Sequence, residues 1–98
     1  ESYAFLHAGV SAEATRWLLD QGIKVVGTDG WGWDIPLNIQ AKQHMAEPDK
    51  GVMWEAHYVG IEKEYCQIEK LANLDQIPVR HGFQVSCFPV NIEKASGA

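Results

Sequence analysis

Between Ser11 and Gly27 the sequence encodes a helix, a stop and a strand with almost no spare residues. The Ser11 hydroxyl is suited to cap a helix N-terminus, and Glu13 places negative charge in the first turn, where the helix dipole favours it. Ala14, Trp17 and Leu18 fall on one helical face, while Glu13, Arg16 and Asp20 lie elsewhere and Gly22 supplies a C-terminal stop. The spacing predicts a helix over 12–21. Ile23-Lys24-Val25-Val26-Gly27 follows directly, short and β-branched between glycines, which is the pattern of a buried strand.

The rest of the chain continues this alternation. Thr28 to Pro36 is a loop by composition. Residues 37–48 are open to a helical or an irregular path, ended by Pro48. Asp49 is placed to cap a helix running from Lys50 to about Lys63, with Met53, Ala56, His57, Gly60 and Ile61 on one face and His57 turned inward. Tyr65-Cys66-Gln67-Ile68 alternates as a strand does, with Glu69 at its end. Residues 71–78 form a turn or short helical connection, and His81 to Ile92 is the longest strand candidate, with Pro89 at an edge or bulge. Helix, strand, loop, helix, strand, strand is an α/β order, without internal repeats or low-complexity segments.

A chain of 98 residues with 46% hydrophobic positions is sized for one compact domain spanning 1–98. Its formal charge of -5, from 13 acidic against 8 basic residues, argues against nucleic acid or an anionic membrane as partner, since both require a basic face. No apolar stretch approaches the roughly 20 residues of a membrane span, and the first residues lack the basic-then-apolar order of a signal peptide. A cytoplasmic location is the expectation, with a small molecule or another protein as partner. Cys66 and Cys87 lie in apolar, strand-like stretches and are expected as buried free thiols rather than a disulfide.

The loop after Val26 gathers Asp29, Trp31, Trp33 and Asp34. The two indoles either form a rigid apolar wall for a substrate or fold back onto the core. Gly27, Gly30 and Gly32 match no phosphate-binding spacing, no lysine follows them, and the aspartates would repel an anion. His57 and Glu69, on a helix and at an adjoining strand end, pair an imidazole with a carboxylate, a donor set for zinc, manganese or iron. The alternative is a hydrogen-bonded core histidine and a solvated glutamate, and two ligands are fewer than a stable site needs. His7, His44 and His81 follow no ligand spacing and are read as surface or capping residues. Glu62-Lys63-Glu64, with Lys70 nearby, is read as a solvated face.

Gly9-Val10-Ser11-Ala12-Glu13-Ala14 with Trp17-Leu18, followed by Gly22-Ile23-Lys24-Val25-Val26-Gly27-Thr28-Asp29, resembles the middle of cyclase-family proteins, which include kynurenine formamidases, isatin hydrolases and a dienelactone hydrolase. His57, followed by Gln67-Ile68-Glu69-Lys70-Leu71-Ala72-Asn73-Leu74, resembles that family's histidine and its Ile-Glu-x-Leu-x-Asn-Leu signature. The resemblance implies part of a swivelling β/β/α fold, with a small mixed sheet and two or three helices. It also implies hydrolysis of amides, lactams or lactones with a divalent metal, zinc or manganese. His57 and Glu69 then correspond to metal-site residues, with His57 also able to shuttle a proton, and Asp29, Trp31 and Trp33 to the substrate side. The family's His-x-Gly-Thr-His-x-Asp-x-Pro-x-His run does not occur in this sequence, and the chain ends where the family continues into a strand carrying an arginine. The expectation is therefore the C-terminal half of such an enzyme, active only when N-terminal ligands complete the site. Its partner would be a complementary N-terminal chain or further copies of itself. The alternative is a non-catalytic module that retains the fold and binds a small molecule or self-assembles.

Overall fold

The computed structural model describes residues 2–49 and 53–95. Ser11 ends an extended stretch, and its Oγ accepts the Ala14 N–H at 3.1 Å, starting helix α1, Ala12–Asp20. Gly22, at φ 88°, provides the left-handed turn that most side chains resist, and strand β1, Val25–Gly27, follows. Helices α2, Leu37–Ala46, and α3, Glu55–Glu62, precede strand β2, Cys66–Ile68, and a single 3₁₀ turn covers Leu74–Gln76. The described residues form an α/β fold with three helices and a two-stranded sheet.

The strands are parallel, with Val25 opposite Cys66, Val26 opposite Gln67 and Gly27 opposite Ile68. A parallel pair needs a crossover, and α2 and α3 occupy it. Backbone bonds continue past the strand ends, from Thr28 N–H to Ile68 O (2.9 Å), Lys70 N–H to Gly30 O (3.0 Å) and Leu71 N–H to Thr28 O (3.0 Å). The two loops leaving the sheet are thereby stitched side by side. A Cβ at Gly27 would stand 2.8 Å from Leu71 Cδ1, so the end of that leucine would have to shift to admit one.

The core lies between α1 and α3. Ala12 and Leu19 of α1 and Val59 of α3 cluster, with Tyr65 packed against them; Thr15 and Ala56 are fully buried beside this cluster. The buried stripe of α1 is therefore Ala12, Thr15 and Leu19, not the Ala14, Trp17 and Leu18 face expected from hydropathy, and Trp17 is 62% exposed. The physical reason is the Thr15 hydroxyl. It donates to Ser11 O at 2.8 Å and accepts the Trp33 indole N–H at 3.0 Å, so a polar residue is fully satisfied inside. Outside the core, Arg16 forms a two-pronged ion pair with Glu62 at 2.7 and 2.8 Å, and Lys63 donates to Leu19 O at 3.0 Å. Both tie α1 to α3.

Three further expectations are corrected. The helix bearing His57 begins at Glu55, with Asp49 and Met53 in turns; Lys50, Gly51 and Val52, where its start was expected, lie outside the described residues. Its inward residues are Ala56 and Val59, while Ile61 is 79% exposed and His57 stands at the margin. His81 to Ile92 forms no strand, and Phe83, Val85, Phe88, Val90 and Ile92 are all exposed. An alternating segment becomes a strand only against a partner edge, and Pro89 has no N–H to offer one. Both cysteines are free, as expected, but exposed, because Cys66 opens a three-residue strand and Cys87 lies in this unpaired segment. No helix among the described residues is long and apolar enough to cross a membrane.

Candidate functional site

The carboxyl ends of parallel strands are where α/β folds expose their loops, and β1 and β2 end side by side. Gly30 N–H donates to Thr28 Oγ1 at 3.0 Å, closing the first turn after β1. The loop then crosses the end of β2, where Trp33 N–H donates to Glu69 Oε1 at 2.8 Å. Glu69 is thus held by main chain rather than left in solvent.

Asp34 turns inward and is 3% exposed. Its carboxylate accepts the Ala56 N–H at 2.8 Å and the His57 N–H at 3.1 Å. Helix α3 has no cap of its own, since Trp54 before it is left-handed (φ 57°) and provides no side-chain bond. A carboxylate borrowed from the loop takes over the first free N–H groups of that helix. Gln40, buried on α2, completes the frame: its amide donates to Ile35 O at 2.6 Å and its oxygen accepts the Trp54 N–H at 2.6 Å.

This frame sets His57 between two carboxylates. Nδ1 lies 2.5 Å from Asp34 Oδ2, and Nε2 lies 3.6 Å from Glu69 Oε1. The His57 side chain is 45% exposed, against 4% for Asp34 and 26% for Glu69, so the imidazole is anchored on its inner edge and open on its outer one. They border a cavity of about 260 Å³ shared with His7, Trp31 and Lys70. The His7 ring, whose Nδ1 donates to Ala8 O at 2.9 Å, and Glu69 both stand close to Gly32: a Cβ there would lie 3.6 Å from Glu69 Oε1 and 3.9 Å from His7 Cε1.

The indoles of the loop divide between the two roles open to them. Trp33 is 6% exposed and bonded to Thr15, so it faces the core. Trp31 is on the cavity, with the Tyr3 ring edge-on at 5.8 Å and Lys70 Nζ 4.7 Å above its face. Lys70 reaches this position from a left-handed backbone, φ 59°, and its Nζ is also 3.5 Å from Glu69 Oε2. Asp29 is exposed and borders a separate depression of about 350 Å³, where its carbonyl accepts the Tyr3 hydroxyl at 2.5 Å. His44 and His81 do not border the cavity.

A cation bound by both His57 Nε2 and Glu69 Oε1 would find donors 3.6 Å apart, close to the roughly 3.4 Å edge of a tetrahedron with ligands about 2.1 Å from zinc. The pair fits two positions of such a site in chemistry and spacing. Among the described residues no three His, Cys, Asp or Glu side chains are grouped to hold a metal ion.

Asp34, Gln40 and the approach of His7 escaped the sequence reading. With α3 starting at Glu55, the preceding residues 50–54 contain no Ser, Thr, Asp or Asn, so its acceptor comes from elsewhere. Nothing in the spacing marks Gln40, whose role arises from the fold. Residues 1–35 match the family model described as "Putative cyclase", and no curated protein or solved structure matches the chain. The matched stretch contains α1, β1, Trp31, Trp33 and Asp34, and ends before His57 and Glu69.

Proposed function

From the cyclase-family segment formed by residues 1–35, we propose that this chain is part of a metal-dependent hydrolase of amides or lactones, arylformamidase-like, whose site is completed by ligands from outside it. The observation that carries this reading is the approach of His57 Nε2 and Glu69 Oε1 to 3.6 Å on an open cavity. His57 and Glu69 are the residues that would hold a divalent cation, zinc or manganese. When bound, the metal supplies a water of near-neutral pKa and polarises the carbonyl under attack.

The chain's own groups do the rest. Trp33 N–H steadies Glu69, and Asp34 steadies His57. With Nδ1 so engaged, Nε2 is the atom that holds the metal or passes a proton to the leaving amine. Trp31, with Tyr3 beside it, offers an apolar face for an aromatic acyl or amine group. Asp29 shapes the loop leading to that face.

The partner is a complementary N-terminal chain or a second copy. The exposed Phe83, Val85, Phe88, Val90 and Ile92 support association, since apolar side chains in such a run are normally covered. The test is metal analysis of the purified chain, alone and with a polypeptide carrying the His-Gly-Thr-His ligands, followed by an aryl formamide assay. The expected result is zinc or manganese that is lost in His57→Ala and Glu69→Ala. Unchanged metal content in both variants would remove the hydrolase assignment.

A second reading is a non-catalytic module that binds a small molecule or assembles with itself. It is favoured by the Trp31 and Tyr3 rings beside the cavity, an apolar face that needs no metal to bind a small molecule. Under it, quenching of Trp31 by aromatic amides persists in His57→Ala and no metal dependence is seen.

A further inference from the structure

A histidine can present either ring nitrogen, and which one carries the proton is decided by what the other nitrogen touches. In this protein one oxygen makes that decision. Asp34 Oδ2 accepts both the backbone N–H of His57 at 3.1 Å and its Nδ1–H at 2.5 Å, while Oδ1 takes the neighbouring Ala56 N–H at 2.8 Å. Main chain and ring of a single residue are therefore held by one carboxylate, which opposes a turn-over of the imidazole. That carboxylate is itself fixed. It is 3% exposed, and the backbone that carries it is packed tightly against Gly9, where a Cβ would stand 2.4 Å from Asp34 C and 2.1 Å from Ile35 N.

The geometry points to Asp34 as the positioning residue of His57: it holds the imidazole in the Nδ1–H form and aims the Nε2 lone pair into the cavity opposite Glu69. Two functions thus meet in one side chain, capping α3 and choosing the tautomer of a residue in its first turn. The tautomer follows from contacts within the chain alone. Its use, in holding a metal or moving a proton, rests on the hydrolase reading.

The experiment is ¹⁵N and ¹H NMR of the imidazole groups in the metal-free 98-residue chain and in Asp34→Asn, with zinc titration of both. Wild type is expected to show His57 as Nδ1–H, with a downfield, slowly exchanging ring proton. Asp34→Asn keeps an oxygen for α3, but its acceptor has lost its charge or presents an NH₂ instead. The ring proton then moves upfield or disappears, and zinc affinity through His57 falls about 10–100-fold, as when a metal-bound imidazole loses its carboxylate. A wild-type ring protonated on Nε2 with Nδ1 bare overturns the proposal, whether or not the variant folds. So does a folded Asp34→Asn with lowered melting temperature but an unchanged ring resonance, since Asp34 would then be a helix cap alone. A wild-type Nδ1–H ring that takes up no zinc, even with the polypeptide carrying the His-Gly-Thr-His ligands present, supports the assignment of Asp34 while removing the hydrolase reading.

Discussion

The Trp33 indole donates to the Thr15 hydroxyl at 3.0 Å in the interior of the fold, joining the loop that carries the site to the first helix. The loop is thus anchored by its second tryptophan and free to use its first.

Replacing Thr15 with Val keeps the shape but leaves the Trp33 N–H buried without an acceptor, at an expected cost of about 1–3 kcal/mol. Urea unfolding measures it. Trp33→Phe removes the donor as well, so the double variant is expected to lose less than the sum of the two single losses, with the shortfall reporting the bond.

Gly9→Ala is expected to be far more damaging than its size suggests. The added methyl would lie 2.1 Å from Ile35 N, against main chain that cannot rotate away, and overpacking of this kind costs about 1–3 kcal/mol or more. Thermal unfolding should show the loss. Zinc uptake should fall with it, because the loop that must move carries Asp34.

The Tyr65 hydroxyl donates to Ala56 O at 2.6 Å and accepts from the Gln67 amide. Burial pushes its phenol above the ordinary value of 10.0. The folded form therefore holds this proton more tightly than the unfolded chain. The resulting stability is fully present below the unfolded value and is lost as pH climbs through the raised folded one. Stability measured from pH 8 upward should decline on this limb, in step with phenolate absorbance, and Tyr65→Phe should remove that component of the decline.

Arg16 and Glu62 sit on the surface as a two-pronged pair, and hydrogen bonding to Arg16 holds the Glu62 carboxyl below its usual range. What this pair contributes is present above the unfolded carboxyl value and fades as pH falls through the lower folded one. Arg16→Ala should produce a small loss that shrinks with added salt and vanishes in acid, read from melting temperature across pH and ionic strength.

Trp31 lies on the cavity and Trp33 in the core, so their substitutions should separate. Trp31→Ala is expected to abolish fluorescence quenching by aromatic amides with little change in melting temperature. Trp33→Ala is expected to cost about 3–5 kcal/mol of stability.

Local signals in the sequence were strong where they were self-contained. Ser11, Glu13 and Gly22 bound α1 because caps and stops act within a turn, and Val25 to Gly27 reads as a strand from β-branching alone. Trp17 and Thr15 exchanged places because hydropathy ranks an indole above a hydroxyl, and only the fold provides Thr15 with two partners. His81 to Ile92 has strand periodicity but no edge to pair with among the described residues. His57 and Glu69 were legible as a pair. Asp34, which aims one of them, was visible only as a charge in a glycine-rich loop, since its targets lie more than twenty positions further along.

The carboxylate that crosses from the loop to α3 also sets limits on recombination. It joins the segment that matches the cyclase model to a helix beyond it through a side chain, not through adjoining backbone. A chimera that takes residues 1–35 from one homologue and the remainder from another can keep the backbone pairing of β1 with β2, which does not depend on side chains. It would keep a working imidazole only when both parents agree on the acid in the loop and the histidine it grips.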